Sequence, residues 1–183
     1  MDISSDEKQR EMIRQIRLLI LDVDGVMTDG SVIIDDLGNE TKHFDVKDGH
    51  GIKLLMRYGI EVVFLTGRTS QVVEHRAGDL GVTEYYQGAI NKVETLQAIL
   101  EKKGIPERCV AYVGDDLIDI PVLKRVGFSV AVADACKEAR ETASCVTKNK
   151  GGKGAVREVC EIILKAQGKW GAVAERYGFD PSR

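Results

Sequence analysis

The chain has 183 residues, of which 43% are hydrophobic and 30% charged, and this composition predicts one ordinary globular domain with a full core. Its formal net charge of −3 argues against a nucleic-acid-binding protein that depends on bulk positive charge. Because no apolar run reaches about 18 residues, we expect no membrane-spanning helix and no membrane partner.

Apolar runs that are typical of buried strands alternate with helical patterns along the chain. This alternation predicts an α/β fold with a doubly wound (Rossmann-like) parallel sheet, helices on both faces, and a single domain over residues 1–183. The predicted strands are 17–23, 60–65, 83–86, 109–114, 128–132 and 145–146, and the predicted helices are 51–58, 71–80, 92–102, 118–126, 135–142 and 154–167.

One segment interrupts the alternation directly after the first strand. Residues 31–35 and 40–44 are rich in β-forming side chains and flank a short turn, so they predict a β-hairpin insertion over about 30–45. Near the other end, residues 148–183 include the glycine-rich stretch 151–154 and are expected to form a flexible tail.

Polar side chains follow several predicted strands or open a predicted helix. Asp22 and Asp24 come after the first strand, and Thr66 comes after the second. Lys92 opens a helix, and Asp115 follows a later strand. A parallel sheet gathers such strand ends at one edge. Since two close buried carboxylates repel each other unless a cation or a proton intervenes, we expect metal binding, acid/base chemistry, or both.

These residue types suit phosphoryl transfer through an aspartyl-phosphate, in which a carboxylate nucleophile needs a cation beside the anionic phosphate. The carboxylates of Asp22 and Asp115 and the backbone carbonyl of Asp24 are hard oxygen ligands that suit Mg²⁺. The Thr66 hydroxyl and the Lys92 ammonium can hold phosphate oxygens. The Asp24 carboxyl can protonate the leaving alkoxide and then activate water.

Two further acidic residues receive supporting roles. Asp116 is expected either to cap the helix that begins near residue 118 or to assist the site. Asp119, one turn later, is expected to orient Lys92 or a metal-bound water rather than to bind the metal itself.

The motifs together resemble a known superfamily. Asp22-x-Asp24, Thr66-Gly67, Lys92 and the segment GDDLID at 114–119 are similar, in order and placement, to the four motifs of the haloacid dehalogenase (HAD) phosphatases. Within that superfamily, DVDGVMTDG at 22–30, KDGHG at 47–51 and GGKGAVRE at 151–158 resemble the phosphatases of 3-deoxy-D-manno-octulosonate 8-phosphate (KDO 8-phosphate).

The resemblance implies a Mg²⁺-dependent phosphomonoester hydrolase that releases KDO and phosphate, a step in lipopolysaccharide biosynthesis. It implies that Asp22 is the nucleophile, Asp24 the acid and base, and Asp115 a Mg²⁺ ligand. The substrate carries a carboxylate as well as a phosphate, and arginine can hold a carboxylate by two parallel hydrogen bonds. The substrate-binding candidates are Asp24, Asp45, Val46, Lys47, Asp48, Gly49, Lys53, Gly67, Arg68, Arg76, Lys92 and Arg157.

The hairpin takes the position in which many HAD phosphatases carry a cap domain. About twenty residues separate Thr28 from Asp48, too few for a capping domain, so this chain is not expected to close its own site. A lone two-stranded hairpin is also marginally stable in water. The resemblance implies a homotetramer in which paired hairpins form a central barrel and active sites lie at subunit boundaries, reached by Arg68, Arg157 or the glycine-rich tail.

Two other functions share parts of this motif pattern. A phosphatase of a related nonulosonate 9-phosphate would use the same scaffold, and the segment at 151–158 favours the octulosonate enzymes by analogy. A phospho-receiver signalling domain also uses acidic residues, a Thr and a Lys on a doubly wound sheet. In a receiver, however, the adjacent acidic pair comes first, whereas here Asp115 and Asp116 come late.

The cysteines and the N-terminus bear on the cellular compartment. The four cysteines show no Cys-x-x-Cys spacing, and residues 1–14 lack the apolar stretch of a secretion signal. We therefore expect reduced thiols in a cytoplasmic protein.

Overall fold

Six parallel strands form the central sheet of this computed structural model, which describes residues 7–181. The strands run in the order β5-β4-β1-β6-β7-β8, so the first strand lies in the middle. The predicted doubly wound α/β fold is confirmed. The strands are β1 Leu18–Leu21, β4 Glu61–Leu65, β5 Glu84–Tyr86, β6 Val110–Gly114, β7 Phe128–Ala131 and β8 Cys145–Val146.

The helices pack around the sheet in two groups. In the first group the N-terminal helix, the helix after the hairpin and the last helix each contact the penultimate helix, and the second group contains the three helices between Lys92 and Thr142. None of the helices in the described part of the chain is long and apolar enough to cross a membrane. The helices are α1 Glu7–Arg14, α2 Val46–Arg57, α3 Gln71–Leu80, α4 Lys92–Lys103, α5 Ile120–Leu123, α6 Lys137–Thr142, α7 Ala155–Ala166 and α8 Trp170–Tyr177.

Strand β1 explains the uninterrupted apolar run near the N-terminus. All four of its side chains are fully buried, because β1 pairs with β4 on one side and β6 on the other and both faces of the sheet are covered. Its ladder continues one residue further, since the backbone N–H of Asp22 donates to the carbonyl of Val113 at 3.0 Å. The first acidic residue is therefore held in the centre of the sheet edge.

Two elements differ from their predicted bounds for identifiable reasons. Helix α2 begins at Val46 rather than at 51, because the Asp45 side chain caps it by accepting from the N–H of Lys47 at 2.6 Å. The helix predicted over 118–126 is a 3₁₀ turn at Leu117–Asp119 followed by the single turn of α5.

The inserted hairpin is present but short. It consists of β2 Ile33–Ile34 and β3 Glu40–Thr41, which pair antiparallel. The Asp35 side chain closes the turn by accepting from the N–H groups of Leu37 and Asn39 at 2.9 and 2.8 Å. The two strands expose Ile33 and Ile34 to solvent, at 41% and 59% of their surface.

Most of residues 148–183, for which a flexible tail is expected, is helical, and the predicted helix over 154–167 lies within it. Helices α7 and α8 occupy much of it, and α7 packs against α2. The glycine-rich stretch lies against the loop that follows β1: a Cβ built on Gly151 would be 1.8 Å from the carbonyl oxygen of Gly25. The glycines therefore permit close backbone packing rather than motion.

Candidate active site

The strand ends converge on one cavity of about 330 Å³. Side chains that follow β1, β4 and β6 meet there with the first residue of α4, as the parallel sheet predicts. The cavity is lined by Asp22, Asp24, Thr66, Gly67, Arg68, Ile90, Lys92, Asp115, Asp116 and Ile118.

Asp22 lies at the bottom of this cavity. It is 6% exposed, and one of its carboxylate oxygens is 3.0 Å from Nζ of Lys92. Burial raises the pKa of Asp22 to about 6, while the positive charge of Lys92 acts in the opposite direction. The group is thus a partly desolvated carboxylate next to a fixed cation.

Lys92 belongs to a buried network with Asp119 and Tyr112. Its Nζ lies 2.6 Å from Oδ1 of Asp119 and 3.2 Å from the Tyr112 hydroxyl, and that hydroxyl donates to the same Oδ1 at 2.5 Å. The other oxygen of Asp119 accepts from the N–H groups of Asp115 and Asp116 at 2.8 and 3.1 Å. Both oxygens of Asp119 are therefore already engaged, in keeping with a role that orients Lys92.

Three carboxylates lie close enough to hold a metal ion. Each residue contributes one carboxylate oxygen, and these three oxygens lie within 4.8 Å of one another in Asp22, Asp115 and Asp119. Burial, followed by the charge of Asp22, raises the pKa of Asp115 to about 8. Such mutual repulsion fits a site for a divalent cation. Since Asp119 is saturated by other partners, Asp22 and Asp115 are the carboxylates with free coordinating capacity.

Gly25 allows Asp115 to reach this position. A Cβ on Gly25 would lie 2.1 Å from a carboxylate oxygen of Asp115, and Gly25 has a φ of +86°, a conformation that other residues rarely adopt. The glycine of the first motif is thus required both by the turn and by the close approach of Asp115, which follows β6.

Asp24 has partners that the sequence analysis missed. Its Oδ1 contacts Nζ of Lys42, and its Oδ2 lies 3.6 Å from Nε of Arg68. Glu40 contacts the same two cations, at 3.1 Å from Lys42 and 2.8 Å from Arg68. The sequence does contain a signal for these partners. Glu40 and Lys42 are two residues apart in a predicted strand, and alternate residues of a strand point to the same face.

Thr66 and Asp116 occupy their predicted places. Thr66 is 2% exposed, and its hydroxyl oxygen accepts from the N–H of Arg68 at 3.4 Å, which leaves the hydroxyl proton available. Asp116 caps the 3₁₀ turn by accepting from the N–H of Leu117 at 2.7 Å.

Four of the remaining substrate-binding candidates line a separate cavity of about 210 Å³. There the Arg76 guanidinium stacks over Phe44, 5.3 Å from the ring centre, and donates to Asp79 at 2.8 Å. A Cβ on Gly49 would lie 2.4 Å from the guanidinium, so the glycine makes room for it. The candidates in this second cavity are Val46, Gly49, Lys53 and Arg76.

The last four candidates line neither cavity. The Asp45 and Asp48 carboxylates cap helices: Asp48 accepts from the N–H of Arg157 at 2.7 Å at the start of α7. The Arg157 side chain pairs with Glu161 at 2.8 Å, and Lys47 is exposed. Within one chain these residues support the scaffold rather than contact the catalytic cavity.

Comparisons with known proteins agree with this geometry. Residues 80–159 match the family model described as haloacid dehalogenase-like hydrolase. The 3-deoxy-D-manno-octulosonate 8-phosphate phosphatase KdsC of Escherichia coli K12 is 53% identical over 154 residues, which is 84% of this chain and 82% of that protein.

Solved structures show the same fold. The Moraxella catarrhalis 3-deoxy-D-manno-octulosonate 8-phosphate phosphatase, in complex with magnesium, phosphate and KDO, superposes with a TM-score of 0.91 at 39% identity, covering 93% of this chain and 98% of that chain. The Yersinia pestis phosphatase of the same name superposes with a TM-score of 0.88 at 47% identity, covering 89% and 88%.

Proposed function

The chain belongs to the 3-deoxy-D-manno-octulosonate 8-phosphate phosphatase family of haloacid dehalogenase-like hydrolases, and we propose that it hydrolyses KDO 8-phosphate through an aspartyl-phosphate on Asp22. The observation that carries the proposal is the cavity in which Asp22, Lys92 and Asp115 meet, with Asp24 at its wall. A carboxylate that is buried beside a fixed cation and a second acidic residue suits attack on an anionic phosphate.

The reaction proceeds in two displacements at phosphorus. An Asp22 oxygen forms a bond to phosphorus while the bond from phosphorus to the sugar oxygen breaks, and Asp24 gives its proton to that leaving oxygen. Asp24 then takes a proton from water as the water oxygen attacks phosphorus, and the bond to Asp22 breaks. Thr66 and Lys92 hold phosphate oxygens as charge shifts between them.

The cofactor is Mg²⁺, and the carboxylates of Asp22 and Asp115 and the backbone carbonyl of Asp24 would hold it. A bound Mg²⁺ would neutralise the phosphate charge that otherwise opposes the approach of a carboxylate. The crowding of Asp22 and Asp115 supports this assignment, because burial and, after it, the charge of Asp22 raise the pKa of Asp115 to about 8, and a cation would relieve both effects.

The sugar acid presents a carboxylate as well as a phosphate, and Arg68 is the proposed partner of that carboxylate. The Arg68 side chain is 47% exposed at the wall of the catalytic cavity, next to Asp24. Its planar guanidinium suits bidentate binding of a carboxylate. Arg68 thus confers preference for acidic sugars.

The active form is proposed to be a homotetramer with its sites at subunit boundaries. The aliphatic side chains of the hairpin are exposed in the single chain, which supports burial against other hairpins. Lys53 and Arg76 lie outside the catalytic cavity, so they would act on substrate bound in a neighbouring subunit.

The proposal places the reaction in lipopolysaccharide biosynthesis in the cytoplasm. Its support is the family membership together with the cysteines, all four of which are free thiols in the structure.

Phosphate release from KDO 8-phosphate tests the proposal. We expect multiple turnovers with Mg²⁺, loss of activity with EDTA, and at least a thousand-fold lower kcat for Asp22→Asn, because an amide cannot act as the nucleophile. Asp36→Asn, on the exposed hairpin turn, is the matched control. An active Asp22→Asn enzyme would exclude Asp22 as the nucleophile, and a stable phosphoprotein without turnover would favour a receiver domain.

A substrate panel tests the choice of sugar. We expect kcat/KM for KDO 8-phosphate to exceed that for nonulosonate 9-phosphates and hexose phosphates by at least ten-fold. Comparable values across the panel would contradict the assignment of KDO 8-phosphate while leaving the phosphatase chemistry intact.

A further inference from the structure

Four charged side chains form a closed ring at the wall of the catalytic cavity. Lys42 and Arg68 alternate with two carboxylates, so each cation contacts both acids. Lys42 contacts Oδ1 of Asp24 and lies 3.1 Å from Glu40, and Arg68 lies 2.8 Å from Glu40 and 3.6 Å from Oδ2 of Asp24. Glu40 and Lys42 come from the hairpin, whereas Asp24 and Arg68 follow strands of the main sheet.

The burial of Lys42 sets it apart from a solvated lysine of a hairpin strand. Its side chain is 1% exposed, and those of Asp24 and Glu40 are 20% and 17% exposed. An ammonium group is costly to bury unless it is paired and hydrogen-bonded. The hairpin therefore directs a charge inward, although its own aliphatic side chains face solvent.

The ring distinguishes the two oxygens of the Asp24 carboxyl. Lys42 contacts Oδ1, whereas Oδ2 is buried and makes no hydrogen bond to any residue in 7–181. Arg68 is too distant for a normal hydrogen bond to this oxygen. The carboxyl is thus held through Oδ1 alone, so its orientation at the cavity wall depends on Lys42.

We propose that Lys42 is a positioning residue for the reaction, resting on the proposed phosphatase function: it fixes the orientation of the Asp24 carboxyl through Oδ1, and Glu40 holds Lys42 and Arg68 in place. The hairpin then contributes to the active site of its own chain. This contribution is independent of any contact that the hairpin makes with other subunits.

The dependence of rate on the leaving group separates positioning of the acid from a general structural role. A sugar alkoxide must be protonated as it leaves, whereas p-nitrophenolate leaves readily without a proton. The value of kcat/KM reports steps up to formation of the phosphoenzyme. Loss of a positioned acid should therefore reduce kcat/KM for KDO 8-phosphate far more than for p-nitrophenyl phosphate.

We expect Lys42→Met to lower kcat/KM about 100-fold for KDO 8-phosphate and less than five-fold for p-nitrophenyl phosphate, within the range by which general acids contribute. Lys42→Arg should recover at least ten-fold of the loss, since it keeps the charge. Asp24→Asn should show the same leaving-group pattern more strongly. Glu40→Gln should show it more weakly, and the exposed Lys124→Met should change neither rate.

Equal losses on both substrates for Lys42→Met, with an unchanged melting temperature, would overturn the proposal, and so would an unchanged rate on KDO 8-phosphate. If the wild-type enzyme releases no phosphate from KDO 8-phosphate, the proposed substrate is wrong. The role of Lys42 is then decided by the same comparison on an alkyl phosphate that the enzyme does hydrolyse.

Discussion

At the scale of single residues, the position of Lys92 depends on an acidic residue, Asp119, both of whose oxygens have defined partners. Asp119 is fully buried and binds Lys92 and Tyr112 through one oxygen and two backbone N–H groups through the other. If this network were incompletely hydrogen-bonded, the protein would be less stable, because buried polar groups cannot hydrogen-bond to water instead. Full satisfaction explains how Lys92 can remain buried and charged.

Tyr112→Phe should weaken this network. Removal of the hydroxyl takes one partner from Asp119 and one from Lys92, so we expect a loss of about 1–2 kcal/mol in the free energy of unfolding. We also expect kcat to fall about ten-fold, with KM changing less than three-fold, because Lys92 is less firmly held. Urea unfolding and steady-state kinetics measure the two effects.

The control for Tyr112→Phe is Tyr177→Phe, which changes an exposed tyrosine of α8. An unchanged kcat in Tyr112→Phe would show that the hydroxyl does not affect Lys92.

Asp48 should make stability depend on pH. Burial raises its pKa to about 6 in the folded protein, above its ordinary value of 3.8. The folded state therefore binds this proton more tightly than the unfolded chain does. The contribution of the bound proton to the free energy of unfolding is fully present below about pH 4 and is lost as the pH rises through about 6. The pKa difference corresponds to at most about 3 kcal/mol. In Asp48→Asn this loss is absent, while the amide oxygen can still accept from the N–H of Arg157.

Urea unfolding at pH 4.5 and pH 8 measures that dependence. The stability of Asp48→Asn relative to the wild type should rise by about 1–3 kcal/mol between the two values. Asp36→Asn, whose side chain is exposed, should show no such rise. If the difference in the free energy of unfolding between Asp48→Asn and the wild type is the same at both pH values, burial does not raise the pKa of Asp48.

At the scale of elements, the loop after β1 is supported by a second loop that is distant in sequence. Gly152 donates to the carbonyl of Val26 at 2.9 Å, and Gly151 donates to the Asp134 carboxylate at 3.0 Å. A Cβ on Gly152 would lie 2.5 Å from the carbonyl carbon of Thr28. The glycine-rich stretch thus determines where the turn after Asp24 can lie.

Gly151→Ala should displace that turn. The new Cβ would clash with the carbonyl oxygen of Gly25 at 1.8 Å, so we expect a loss of about 1–3 kcal/mol in stability and a clear fall in kcat. Gly78→Ala in α3 is the matched control, because its Cβ would meet no described atom within 4 Å. That variant should be stabilised by about 0.5–1 kcal/mol. Thermal unfolding and phosphate release measure both, and equal behaviour of the two variants would contradict the supporting role.

At the scale of the whole molecule, the hairpin carries two kinds of side chain. Glu40 and Lys42 contact Arg68 and Asp24 at the catalytic cavity, whereas aliphatic side chains such as Ile34 and Leu37 are 59% and 87% exposed. A single small hairpin with uncovered apolar side chains is marginal in water. Assembly that buries those side chains would stabilise the hairpin and, through Lys42, the site.

Ile34→Asp should disrupt this assembly. Burying a carboxylate between paired hairpins is unfavourable, so sedimentation should detect smaller species than for the wild type. Activity on KDO 8-phosphate should fall with the loss of the tetramer, and Asp36→Asn should leave both unchanged. A wild-type monomer with full activity would contradict the tetramer.

The alternation of strands and helices and the order of the motifs could be predicted from the amino-acid sequence. These are local properties of the chain. Because β1 is buried on both faces, its residues form an uninterrupted apolar run in the sequence, and the acidic residues follow directly after the strands. The parallel sheet then implied that Asp22, Thr66, Lys92 and Asp115 would meet, because all strands end at one edge.

The side chains that orient those groups could be identified only in the folded protein. The partners of Asp24 come from a hairpin whose fold against the sheet has no local signal, and Asp48 lies over 100 positions from the helix that it caps. The glycines at 151 and 152 read as flexible because their packing partners lie elsewhere in the chain. Local pattern encodes secondary structure, whereas these roles arise from contacts between residues far apart in sequence, which only the folded chain brings together.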